Sequence, residues 1–205
     1  LPFVIISGGI GEDIAVAADV YTIGGLSAHA DREDLLAWAG HFLKEPGTVL
    51  VTGISGNLGR ALANLLHTET HVVGVDRRIF AGKPKDIDHF RVDIRKAKVE
   101  DAFRHRRVEA LIHMGIVHDP RVPRSEAHSF NVIGTHKILD LCVRHGVKKV
   151  VVLSSANVYG PSPDNSNFLT EDAPLMAASR FSGVRDPVSD LHNARWVSWL
   201  ARSSS

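Results

Sequence analysis

The run Thr52-Gly53-Ile54-Ser55-Gly56-Asn57-Leu58-Gly59 follows a short apolar strand, Val49-Leu50-Val51. It precedes a helix whose Leu62, Leu65 and Leu66 share one side. Three glycines in that setting suit a diphosphate. A pyrophosphate reaches the backbone only where no Cβ intervenes, and a helix N-terminus then offers free N–H groups and partial positive charge. Gly53 is expected to shape the turn, Gly56 to admit the phosphates and Gly59 to let the helix pack on the strand. Asn57 and Leu58 lie between them as further cofactor contacts. Such a site also needs an acid at the end of the second strand, roughly 20 residues on, for the ribose hydroxyls. Asp76 ends His71-Val72-Val73-Gly74-Val75 at that interval. Its carboxylate repels a 2′-phosphate and so favours NAD. Arg77 and Arg78 follow at once, and a guanidinium accommodates NADP, which stands as the alternative.

The elements that must position these residues alternate regularly after Pro46-Gly47. Strands are expected at 49–51, 71–75, 90–93, 110–113 and 149–153, with helices over 59–66, 98–106 and 125–145 between them. Val150, Val151 and Val152 are apolar in succession, as in strands covered by helices on both faces. The pattern implies right-handed βαβ crossovers. The fold class is therefore α/β, a Rossmann-type doubly wound parallel sheet over 46–205. Residues 1–45 stand in front of it as a short strand–helix appendage, with strands at 3–6 and 20–23 and a helix from about Asp31 to Leu43.

Composition sets the remaining bounds. At 205 residues, 44% apolar and 23% charged, the chain suits one domain or a domain with an appendage. Its net charge of +1 gives no global field toward nucleic acid or an anionic membrane. No stretch reaches the roughly 18 apolar residues of a membrane span. Leu1 to Ile6 reads as a strand and not as a signal peptide. The single Cys142 cannot form an internal disulfide, which fits a reducing, cytoplasmic setting, and its apolar neighbours make it a core residue. His118-Asp119 and the basic run Arg104 to Arg107 read as solvated surface.

The G-x-x-G-x-x-G spacing from Gly53 to Gly59 resembles the opening of the extended short-chain dehydrogenase/reductases, the NAD-dependent epimerase/dehydratase family. The similarity covers about residues 48–190. Asp93-Ile94 resembles the family's pair against the adenine, and His113-Met114-Gly115 its segment lining the cofactor cleft. Asn131-Val132-Ile133-Gly134-Thr135 is similar to its N-V-x-G-T helix motif, and Ser154-Ser155-Ala156-Asn157-Val158-Tyr159-Gly160 to its S-S-x-x-V-Y-G. The resemblance implies cofactor contacts from Asp93, Ile94 and Asn131, with Ser155 orienting a substrate hydroxyl, and leaves Tyr159 structural. It further implies a small-molecule substrate such as a sugar nucleotide, and dimerisation through the long helices. The family's Y-x-x-x-K is replaced here by Phe181-Ser182-Gly183-Val184-Arg185. Phe181 has no proton to exchange, and Arg185 is effectively never neutral. Two outcomes follow: an enzyme moving hydride on a hydroxyl substrate, or a non-catalytic NAD-binding module or truncated, chimeric product without the family's C-terminal substrate lobe.

Gly24-Gly25-Leu26-Ser27-Ala28-His29-Ala30-Asp31 resembles a motif of the β-CASP branch of metallo-β-lactamase RNA nucleases. The resemblance makes His29 a zinc ligand, but a zinc site needs three or four ligands and the others are missing. No metal is expected, and a zinc-dependent nuclease is the least favoured function.

Overall fold

The computed structural model describes residues 3–8, 20–22, 47–117, 119 and 121–155. Seven strands are seen among them: β1 (Phe3–Gly8), β2 (Val20–Thr22), β3 (Thr48–Thr52), β4 (Val72–Asp76), β5 (Asp88–Arg91), β6 (Val108–His113) and β7 (Lys149–Ser155). They form one sheet in the order β2-β1-β7-β6-β3-β4-β5, and every pairing is parallel. From β5 to β7 this reproduces the first five places of the doubly wound order 3-2-1-4-5-6. The expected parallel sheet is present. The next place, beyond β7, is taken by β1, which lies first in the sequence, with Phe3 opposite Val150 and Gly8 opposite Ser155. The helix expected from about Asp31 to Leu43 lies outside the described residues.

Between the strands run α1 (Asn57–Leu66), a 3₁₀ turn (Ala97–Val99) leading into α2 (Glu100–His105), and a long helix from Arg124 to Arg144. The last begins as α3 (Arg124–His128), passes through a π-helical stretch at Ser129–Gly134 and continues as α4 (Thr135–Arg144). One side of α1 buries Leu62, Ala63 and Leu66 on one face of the sheet, with Val49, Val51, Val72 and Ile112. The long helix and α2 cover the other face, where Leu50, Val73, Leu111 and Val150 meet Ile138, Leu139 and Phe103. Each fully buried Leu or Ile contributes about 1.5–3 kcal/mol relative to exposure. Two such faces hold the central strands rigidly.

Boundaries shift by a few residues at most elements, and two departures bear on the site. The third strand of the nucleotide half is Asp88–Arg91 and not 90–93, because it pairs only with β4 and carries polar residues at the sheet edge. The helix expected over 125–145 is interrupted by the π-helical stretch. There a Cβ on Gly134 would stand 2.7 Å from Ile94 Cδ1, so the helix passes close over the loop after β5.

Candidate functional site

β3 lies between β4 and β6, so the chain leaves in opposite directions from the two central strands. In open α/β sheets the crevice at the carboxyl ends of such strands is where ligands bind. The carboxyl end of β3 continues directly into Gly53, and that of β6 into Met114-Gly115.

The glycine turn is closely fitted. Gly53 has φ of 73°, and a Cβ there would lie 2.7 Å from the backbone C and O of Met114. A Cβ on Gly59 would overlap the carbonyl oxygen of Gly53 and lie 2.8 Å from Ile54 Cα. These two glycines are required by the protein's own backbone. Gly56 is different. It caps α1 in an extended conformation, and a Cβ on it would meet only Gly53 O at 3.2 Å and Arg78 Nη2 at 3.5 Å. No side chain caps α1 and no acid occupies its first turn, so the amides there are not taken by a capping group. Asn57, exposed, and Leu58, half-buried, are its first two residues.

Asp76 ends β4 and is largely buried. Its Oδ2 accepts the Ser55 N–H at 3.1 Å, and its Oδ1 accepts the Arg78 N–H at 2.9 Å. The acid is thereby tied to the glycine turn one strand over. The exposed Arg78 guanidinium reaches back to the same carboxylate, with Nε 3.4 Å from Oδ1. Arg77 turns the other way, its guanidinium 4.7 Å from the Phe130 ring centre and Nη1 4.0 Å from Asp93.

Asp93 sits in a second charged cluster that the sequence did not reveal. Arg95 donates to it three times: N–H to Oδ1 at 2.9 Å, Nε to Oδ1 at 3.0 Å and Nη2 to Oδ2 at 2.7 Å. The same Nη2 lies 2.9 Å from Glu126 Oε1. Burial alone would raise the Asp93 pKa, but the Arg95 side chain and amide outweigh it and hold the carboxyl below its usual range. Hydrogen bonds to Asp93 and Glu126 push the Arg95 guanidinium still further from neutrality.

Two expected cofactor contacts have other partners. Asn131 is fully buried, its Oδ1 accepting the Val117 N–H at 2.8 Å and its Nδ2 donating to the Val117 carbonyl at 3.0 Å. Both ends of its amide hold the loop after β6. Ile94 is 2% exposed and its side chain packs in the core beneath Gly134. Ser155 is the last residue of β7, at the carboxyl edge of the sheet. Phe181, Arg185, Tyr159 and His29 lie outside the described residues. Cys142 is in the core, where burial raises its thiol pKa. Asp119 pairs with Arg121 Nη2 at 2.8 Å on the surface.

The sequence profile of the NAD dependent epimerase/dehydratase family matches residues 49–182. The chain belongs to that family. This epimerase/dehydratase-family chain is 29% identical over 166 residues to the UDP-glucose 4-epimerase of Bacillus subtilis, covering 71% of this chain and 48% of the relative. Among solved structures it is similar to a short-chain dehydrogenase/reductase superfamily protein from Agrobacterium tumefaciens with bound NAD. The identity there is 29% and the TM-score 0.61, over 77% of this chain and 46% of that one. MoeE5 in complex with UDP-glucose and NAD is 27% identical with a TM-score of 0.57, over 76% of this chain and 48% of that one. The family member described here thus spans about half the length of the proteins it matches. A second profile, the Zn-dependent metallo-hydrolase RNA specificity domain, matches residues 13–73 and so runs beyond residue 45 into β4. Among the described residues no group of three or more His, Cys, Asp or Glu is placed to hold a metal, and no helix is long and apolar enough to cross a membrane.

Proposed function

We propose that this chain binds NAD across the β3–β6 switch point and acts on a hydroxyl of a small polar substrate of the sugar-nucleotide kind. The observation that carries this is the uncapped N-terminus of α1 at Gly56, paired with Asp76, which is bonded to the amide of Ser55 in the same turn. The diphosphate would lie on the α1 amides of Asn57 and Leu58 beside Gly56 and Gly59. Asp76 would accept the ribose hydroxyls. The Asp93 carboxylate, charged and oriented by Arg95, keeps acceptor capacity on Oδ2 for the adenine amine. When bound, NAD supplies a hydride acceptor at its nicotinamide. This chain's part is to bind, to orient and, through Ser155, to hold the substrate oxygen. The substrate class rests on the family and on relatives that act on UDP-glucose.

Titration of the purified chain with NADH, followed by nicotinamide fluorescence, tests the first step. Saturable binding that Asp76→Ala weakens at least tenfold supports the site; the absence of saturable binding overturns it. A second reading, binding without chemistry, is favoured by Phe181 and Arg185 at the family's Tyr and Lys positions. A folded Phe181→Tyr/Arg185→Lys double variant separates the two. A gain in NAD reduction or in conversion of UDP-sugars supports the enzyme, and no gain in either supports the binding module.

A further inference from the structure

Three polar side chains are buried together at the carboxyl ends of β3 and β6. Thr52, His113 and Thr135 are exposed by 0%, 0% and 1%. Thr52 and His113 are register partners on β3 and β6, the two strands that bound the switch point. Thr52 Oγ1 lies 2.6 Å from His113 Nδ1, and His113 Nε2 lies 2.8 Å from Thr135 Oγ1 at the start of α4. Thr52 Oγ1 also accepts the Gly115 N–H at 3.3 Å, while the Thr52 carbonyl accepts the Met114 N–H at 3.1 Å. One assignment gives the Thr52 hydroxyl proton an acceptor. Gly115 N–H donates to Thr52, Thr52 O–H donates to His113 Nδ1, and His113 Nε2–H donates to Thr135. The chain has a single direction and needs a neutral imidazole.

Such a cluster adds little stability over an apolar trio of similar shape, because hydrogen bonds made on folding replace hydrogen bonds to water. What it adds is geometry. A connected buried network holds its members at fixed distances, since a displaced member leaves an unpaired polar group in a low-dielectric interior. The held parts are the last residue before Gly53 and the Met114-Gly115 segment, whose backbone stands against Gly53.

We infer that His113 is a positioning residue that sets the width of the dinucleotide crevice, by tying the Gly53 turn through Thr52 to the Met114-Gly115 wall and anchoring both to α4. This rests on the proposed NAD site for its ligand, but its geometry stands on its own. The Thr52 side of the imidazole does the positioning, and the Thr135 side anchors it.

The two sides can be separated in the 205-residue chain. His113→Asn places an amide near the Nδ1 position and keeps a partner for Thr52, whereas His113→Gln reaches toward Nε2 and keeps one for Thr135. His113→Gln is expected to weaken NADH binding about tenfold and to speed hydrogen exchange of the Gly115 amide, with His113→Asn close to wild type in both. Equal NADH affinity in the two variants, with equal losses in melting temperature, would mean a merely structural histidine and overturn the inference. Should wild type fail to bind NADH, the NAD reading falls, and the Gly115 exchange contrast alone decides: faster in Gln than in Asn supports positioning, equal rates refute it. If His113→Gln does not fold, Thr52→Val and Thr52→Ser replace the pair. Val removes the hydroxyl and Ser retains it, so only Val should speed Gly115 exchange. Equal exchange in those two also refutes the inference.

Discussion

The two flanks of the crevice are built from opposite materials. On the β4–β5 side stand Asp76, Arg77, Arg78, Asp93, Arg95 and Glu126, partly open to water and linked by ion pairs. On the β6 side stand Thr52, His113, Thr135 and Asn131, neutral and closed to water. The exposed members of the charged flank, Arg77, Arg78 and Glu126, can rearrange around a ligand at small cost, because an ion pair exposed to water is worth little. A neutral buried flank cannot, because moving one member strands another. The first therefore suits recognition, and the second suits holding a wall in place. The glycine turn joins them, and its three glycines divide the same way: Gly53 and Gly59 fit the protein, and Gly56 is left for the ligand.

The largest effects should come where this division is broken at the turn. Gly53→Val puts a branched side chain at a positive φ and into the backbone of Met114. It should cost on the order of 3 kcal/mol or more in a urea unfolding experiment. Gly56→Ala, at a φ of −71° that alanine adopts freely, should change stability by less than about 1 kcal/mol yet weaken NADH binding strongly. Equal stability losses in the two variants would erase the distinction between a glycine for the fold and a glycine for the ligand.

The buried flank makes a prediction in pH through its one titratable member. Burial pushes the pKa of His113 down to about 4 from 6.5. As pH falls below 6.5 the unfolded chain takes up this proton and the folded one does not, so stability falls between pH 6.5 and 4 and levels off below. At about 1.4 kcal/mol per pH unit, the loss is on the order of 3 kcal/mol. His113→Asn should flatten that stretch of the stability curve. Asp93, whose pKa is lowered in the fold, acts lower. Its contribution is full above the ordinary carboxylate range and is lost only as pH falls through its depressed value. Unfolding midpoints of wild type and His113→Asn from pH 7 to 4 decide the matter; parallel curves would show that His113 is not the group responsible.

This same split explains what could be read from the sequence. The five strands from β3 to β7, the glycine turn and Asp76 were legible, because apolar runs and glycine spacing are local signals. The bonding of Asn131 to the Val117 backbone was not, because that partner is set by the fold. Arg95 was missed although it stands two residues after Asp93, since nothing in that spacing says which way a guanidinium turns. The Thr52–His113–Thr135 bridge spans residues far apart in the chain. His113 and Thr135 each lay in a motif, but only the sheet register and the helix approach bring them together. β1 is a further case, a local apolar run whose place beside β7 no local signal fixes.

Within the charged flank, Asp76 and Asp93 should not be equivalent. Asp76→Asn should lower NADH affinity about tenfold or more, since the ribose hydroxyls lose an ionised acceptor. Asp93→Asn should cost less, because Arg95 and Arg77 already balance its charge. Isothermal titration of both variants with NADH ranks them, and a larger loss in Asp93→Asn would transfer the main recognition to the adenine side.

The smallest effect tests the flank's capacity to rearrange. Arg78 is exposed, bonded to Asp76 and close over Gly56, beside the carboxylate proposed to take the ribose. With NADH the guanidinium need only move aside, so Arg78→Ala should change affinity by no more than a few-fold, in keeping with a weak exposed ion pair. A 2′-phosphate, in contrast, would meet the Asp76 carboxylate and would need Arg78 to offset it. Removing that cation should therefore weaken NADPH binding more than NADH binding and raise the preference for NADH. Paired NADH and NADPH titrations at one fixed salt concentration measure the ratio. A ratio unchanged by the substitution would show that Arg78 has no part in cofactor choice, leaving Asp76 to set it alone; a ratio shifted toward NADPH would mean that the guanidinium makes a contact with NADH that it does not make with NADPH.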